Sequence, residues 1–223
     1  MNLNLFINVL ALLLFWFLIS KLTQIVTTKI RGNLKRRFLR NILFFLPYLL
    51  PFIYFQWPEI NLNLDWKGCI ISLVLGLGLI TLEFKKLKIL FNKDYYLMLD
   101  PIHLRNLLTG LNTYIGAAIF EELFFRGVTS SIDQENIVAY YIFGLLATLL
   151  FVYSHSFSLQ KRDAYSYVVL TVFSFTQVTL YHLTGNIINC IIVHLIFNTP
   201  AIAILIRRYM LTKRGIIGEI ETF

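Results

Sequence analysis

Charge is scarce in this 223-residue chain: only 14% of residues are Asp, Glu, Lys or Arg, against 57% hydrophobic. Soluble domains carry roughly 25% charged and 45–50% apolar residues, so a water-soluble fold of this length is excluded. Cysteine is nearly absent, and Cys69 and Cys190 both lie within apolar runs. That rules out a disulfide framework and a CxxC metal site. Gly/Ser-rich or Pro-rich linkers are missing, as are internal repeats and low-complexity tracts. A single helical bundle is the economical organisation. Neither HExxH nor GxSxG occurs, which leaves the zincin and nucleophile-elbow hydrolases without their signatures.

What the chain does have is long apolar stretches. Spanning a bilayer takes about 20 predominantly apolar residues. Such runs place spans at 3–20, 41–57, 68–84, 106–132, 137–157, 164–181 and 185–206. Backbone polar groups cannot be left bare in hydrocarbon, and these runs are too uniformly apolar for alternating barrel strands. The predicted fold is therefore all-α, a transmembrane bundle of about seven spans. Residues 3–20 lack a basic n-region and an AxA-like cleavage site, so they read as a retained span rather than a signal peptide. Pro47 and Pro51 should kink the second span, while Gly76 and Gly78 in the third should permit close helix contact.

The formal charge of +8 invites a nucleic-acid reading, and its placement answers it. Cytoplasmic loops of membrane proteins carry the excess of Lys and Arg. Here 18 of the 20 basic residues fall on one alternating set of loops, at 21–40, 85–105, 161–162 and 207–214. The N-terminus is expected outside and the C-terminus in the cytoplasm, with anionic lipids as partners of the basic loops and no nucleic acid. The segment 85–108, charged yet holding Tyr95, Tyr96 and Leu97, is too polar to span and fits either the cytoplasmic interface or a plain loop. Residues 1–105 form an N-terminal region of spans and basic loops, 106–206 the region that carries chemistry, and 207–223 a cytoplasmic tail.

The chemistry gathers in three spans. The fourth contains Glu121, Glu122 and Arg126, each costing roughly 2.5–3.5 kcal/mol at a helix centre in the membrane. Glu122 and Arg126 stand at i and i+4 with the acid first, the favourable order for pairing on one face. Glu121 has no such partner on its own helix and must find donors elsewhere, which makes it the better base. The fifth span ends in Phe151 to His155, and the seventh holds His194 and Asn198 at i and i+4. A lone intramembrane histidine is ordinarily a packing residue; two of them, with a matching Asn and two carboxylates, are harder to dismiss. Cys190 and His194 also share a face, but a cysteine in an apolar run is usually inert. Ser154 and Ser156 flank His155 and point to other faces of its helix. His103 and His182 fall at predicted interfaces, outside the set.

EExxxR, FxxxH and HxxxN, in this order, resemble the CPBP (Abi) family of intramembrane proteases, which includes the type II CAAX prenyl endopeptidases. Arg126-Gly127 and Thr184-Gly185-Asn186 also look like that family, and the match covers 121–198. The resemblance implies that Glu121 and His155 activate water, that His194 and Asn198 stabilise the oxyanion, and that Glu122 and Arg126 fix the helix and tune the site. The expected activity is intramembrane hydrolysis of a peptide bond in a membrane-associated, prenylated or leader-peptide substrate, in a prokaryotic plasma membrane. Two His and a Glu also match the ligand count of a catalytic zinc site. A Glu–His base needs no metal and Asn198 is a poor zinc ligand, so the metal-free mechanism is favoured, with zinc as its alternative. Two other classes use the same groups: a non-catalytic membrane immunity or scaffold protein, and an ion-coupled transporter. No paired halves or inverted repeat support the transporter.

Overall fold

The computed structural model describes residues 3–30, 34–58, 60–61, 66–132, 136–156 and 163–217, with the side chains of 34–38 and 156 left aside. Among the described residues all regular structure is helical: α1 (Leu3–Lys29), α2 (Leu34–Phe45), α3 (Trp66–Leu82), α4 (Phe84–Phe91), α5 (Lys93–Leu97), α6 (Leu104–Phe125), α7 (Ile137–Ser156), α8 (Ala164–Thr184) and α9 (Ile187–Lys213). Two 3₁₀ helices, Leu46–Ile53 and Gly127–Ser131, continue α2 and α6.

Among the described residues, three helices are long and apolar enough to cross a bilayer: Leu3–Lys29, Ile137–His155 and Ile187–Lys213. A fourth crossing arises if α3 and α4, bent by 76°, count as one broken span. Large apolar side chains face outward along them, including Phe6, Leu10, Leu14 and Phe17 of α1, Leu145 and Leu149 of α7, and Val74 and Leu77 of α3. Water would not tolerate so much exposed oil; lipid does. The chain is a multi-pass helical membrane protein.

The predicted spans differ from these helices where local chemistry intervenes. Proline lacks an N–H and its ring collides with the carbonyl four residues back, so Pro47 ends α2 instead of kinking one continuous span. The backbone tightens into Leu46–Ile53, and Pro51 O then accepts from the amides of Tyr54 (2.9 Å) and Phe55 (2.8 Å). The fourth predicted span likewise divides, because Arg126 caps α6 and Gly127–Ser131 winds on as 3₁₀. Segment 85–108 is neither span nor plain loop but α4, α5 and the start of α6.

At the core, α9 packs between α3 and α6, and α7 pairs with α8. Gly185, at φ +62°, ends α8 in the left-handed conformation that glycine adopts without a Cβ penalty, and Asn186 immediately caps α9 by accepting from Ile188 N (3.1 Å). This two-residue turn sets the register of α9 against α8. On α6, Gly116 lies directly under the Phe45 ring, where any Cβ would overlap it; Phe45 also stacks on Phe120 at 5.3 Å. Gly76 lets α3 approach Ile196 of α9 closely, whereas Gly78 meets nothing within 4 Å and does not serve the expected contact.

Candidate active site

Glu122 and Arg126 are both fully buried, with Arg126 Nε 3.1 Å from Glu122 Oε2. The pair is electrostatic rather than an aligned hydrogen bond, since neither atom finds hydrogen-bond geometry. The guanidinium is oriented from α8: Nη2 donates to Ser174 Oγ (2.9 Å) and to its carbonyl (3.3 Å), and Ser174 donates to Thr148 of α7 (3.2 Å). The Phe151 ring covers it at 5.1 Å. Ser174 and Thr148 were not singled out from sequence, because hydroxyls in apolar helices carry no pattern that separates a support from a packing residue.

The other Glu122 oxygen, Oε1, lies 2.7 Å from His194 Nδ1. A carboxylate paired with arginine only accepts, so Nδ1 is the protonated nitrogen. Sequence spacing assigned Glu122 to its own helix alone; in space it joins α6 to α9 and fixes the tautomer and orientation of His194, as a carboxylate does for a histidine elsewhere. Phe173 meets the imidazole edge-on at 4.9 Å and stacks on Phe197 at 4.4 Å.

Glu121 points to a different neighbour. Its Oε2 is buried, takes no hydrogen bond from the protein, and stands 3.9 Å from Nε2 of His155 on α7. His155 Nδ1 is 2.8 Å from Phe151 O, which can only accept. The neutral ring therefore carries its hydrogen on Nδ1 and presents Nε2 as an acceptor toward Glu121. Two acceptors 3.9 Å apart repel each other unless a proton or a doubly donating molecule comes between them. Tyr48, buried in the 3₁₀ helix Leu46–Ile53, lies close enough to Glu121 to feel its charge, and its ring meets Phe124 at 6.1 Å. Sequence reasoning passed over Tyr48; the flanking Pro47 and Pro51, which build the element that carries it, were its only signal.

Asn198 is not joined to His194. Its amide donates to Tyr114 O of α6 (3.3 Å), and the side chain is half-buried. Cys190 is also turned away, with Sγ 3.5 Å from Gln177 O, so the thiol–imidazole pairing does not form. Ser154 is engaged by Trp16 Nε1 (2.8 Å) and by Leu150 O (2.8 Å); the side chain of Ser156 lies outside the described residues. His182 packs against Tyr140 at 4.7 Å, and His103 caps α6, both away from this set. Among the described residues, no three His, Cys, Asp or Glu side chains converge as metal ligands do.

The arrangement thus offers two carboxylate–imidazole pairs from adjacent positions of one helix, one at 2.7 Å and locked by arginine, the other standing 3.9 Å apart. Residues 103–200, which hold both pairs, match the family model described as type II CAAX prenyl endopeptidase Rce1-like. Over that stretch, a little under half of its length, the chain is similar to the Rce1-like family. No curated relative and no solved structure matches the chain. The Rce1-like region starts at the cap of α6 and ends at Pro200 in α9, so it takes in every residue of the two pairs and their supports.

Proposed function

We propose that this protein is an intramembrane endopeptidase that cleaves a peptide bond in a membrane-associated substrate, such as a prenylated or leader peptide, with water activated by Glu121 and His155. The carrying observation is the 3.9 Å separation of two acceptors, Glu121 Oε2 and His155 Nε2, where Oε2 is buried and takes no hydrogen bond from the described residues. A water donating one hydrogen to each would sit at about 2.8 Å from both. So held, it turns its lone pair outward as a nucleophile, and the pair acts as general base.

The water oxygen attacks the scissile carbonyl carbon and its proton passes to the Glu121–His155 pair. The same proton then goes to the departing amine nitrogen as the C–N bond breaks. Negative charge on the former carbonyl oxygen falls to His194 and Asn198. For His194 this requires the doubly protonated ring, because Nδ1–H already faces Glu122 and only an Nε2–H can donate outward. Glu122 holds the ring through Nδ1, and Arg126 holds Glu122 in place. Asn198 has a second amide hydrogen beyond the one given to Tyr114 O.

The same reading takes the chain across the membrane seven times, with the N-terminus outside and the C-terminus cytoplasmic. The apolar helix Leu39–Ile53, α6 and α8 supply the crossings that are shorter or more polar than free-standing spans. Neighbouring helices can cover such segments. Single-cysteine labelling from each side of sealed vesicles tests this order, and access to a cysteine at position 29 from the outside would reverse it.

The test of activity is cleavage of a panel of prenylated and leader peptides by purified protein in proteoliposomes. Glu121→Gln and His155→Ala should each lower kcat by about 10²–10⁴-fold. Turnover should persist in the presence of metal chelators. Ion-coupled uptake without peptide products, or cleavage undiminished in both variants, would remove the proposal.

A further inference from the structure

Helix α4 leaves the axis of α3 at Glu83 and turns by 76°, so it runs across the end of the bundle rather than on through it. Its face formed by Phe84, Leu87 and Phe91, with Lys88 and Asn92 at the rim, makes a shallow groove that lies largely open to the surroundings. Phe91 is 75% exposed, and Met98, just beyond α5, is 85% exposed. Such apolar side chains beside lysines are the pattern of a helix lying in the membrane surface, its oily face among acyl chains and its charges among headgroups.

The lysines of α4 are not equivalent. Lys85 is paired with Asp163, and Lys86 donates to Glu83 at 2.8 Å. Lys88 has no carboxylate partner among the described residues, and its ammonium lies 5.6 Å from the Phe84 ring, over the groove. Asn92 accepts from the amides of Asp94 and Tyr95 through Oδ1, which leaves its N–H groups as donors. The groove therefore presents one cation and one amide donor above three apolar side chains: the complement of a phosphate ester carrying a hydrocarbon chain.

The shelf is rigidly held. Arg207 of α9 donates to Leu90 O and covers the buried Tyr96 ring at 5.1 Å, while Arg208 Nε donates to Asp100 O at 2.9 Å. Ile102 N donates to Thr212 Oγ1 at 3.2 Å. Helices α4 and α5 are thus tied to the basic end of α9, and Lys86 reaches to 5.8 Å from Phe197, next to Asn198.

We propose that the α4 groove binds an anionic phospholipid, with its phosphate between Lys88 and Asn92 and its acyl chain along Phe84, Leu87 and Phe91. The occupant is a lipid rather than a free phosphate because a single cation is too little to hold a small anion, whereas the apolar floor adds the chain.

Native mass spectrometry of the full chain, released from micelles doped equally with phosphatidylglycerol and phosphatidylcholine, reads this directly and requires no turnover, so its result stands whatever the peptidase assay gives. The wild type should retain phosphatidylglycerol in preference. Lys88→Gln should weaken retention about fivefold, the worth of one lysine at an anionic surface. Phe91→Ser should weaken both lipids, and Lys213→Gln, the same charge change outside the groove, should weaken phosphatidylglycerol less than Lys88→Gln does. Circular dichroism confirms that each variant is helical. Equal effects of Lys88→Gln and Lys213→Gln, equal retention of the two lipids, displacement by inorganic phosphate, or a dimer in place of the lipid adduct would each overturn the proposal.

Discussion

Replacing Arg126 by methionine removes the guanidinium that faces Glu122 across 3.1 Å with both side chains fully buried. At that separation the Coulomb attraction is about 5 kcal/mol at an effective dielectric of about 20. Part of it survives the substitution, because His194 still faces the other carboxylate oxygen at 2.7 Å. Breaking one partner out of a buried pair costs about 3–5 kcal/mol, since an uncompensated charge stays behind, and that is the expected loss of stability for Arg126→Met. Glu122→Gln on the same background removes the stranded charge while keeping a hydrogen-bond acceptor for His194. The double variant should therefore be less destabilised than the sum of its parts, by about 1–3 kcal/mol of coupling. Unfolding in mixed micelles titrated with a denaturing detergent, followed by the fluorescence of Trp16, Trp57 and Trp66, measures all four corners of the cycle. An Arg126→Met loss below about 1 kcal/mol, with coupling indistinguishable from zero, would mean that the buried pair does not hold these helices.

Two further perturbations probe the frame around the site. Gly116→Ala places a methyl group in the Phe45 ring, and overpacking of this kind should destabilise by about 1–3 kcal/mol in the same assay; an unchanged midpoint would show that α2 is not seated on α6 as described. At the start of α8, the hydrogen bond from Lys85 chiefly, then those from Ser166, hold the Asp163 carboxyl well below the usual carboxylate range. A depressed folded-state value means that the stabilisation is complete above the unfolded carboxylate range, about pH 4, and fades as pH falls below it. Thermal melts between pH 6 and pH 3 should drop less steeply for Asp163→Asn, which keeps the cap but not the charge, than for wild type; parallel curves would refute the link.

The sequence by itself determined the membrane class and the helical fold, because transfer of apolar groups to lipid and the satisfaction of backbone polar groups are decided residue by residue along the chain. It also determined the Glu122–Arg126 pair, since a separation of four residues places two side chains on one helix face whatever surrounds them. Contacts between helices lay beyond it. The pairing of Glu121 with His155 was implied by the resemblance alone; that Glu122 meets His194, that Asn198 turns to Tyr114 O, and that Tyr48 approaches Glu121 follow from the rotation and register of packed helices. Those were settled by shapes far away in sequence: the Phe45 ring over Gly116, Ile196 against Gly76, and the two-residue turn at Gly185 and Asn186. The breaks at Pro47 and Arg126, and the bend at Glu83, belong to the same level. A proline interrupts its own hydrogen bonds, but only the neighbours decide whether the helix bends, winds tighter or stops.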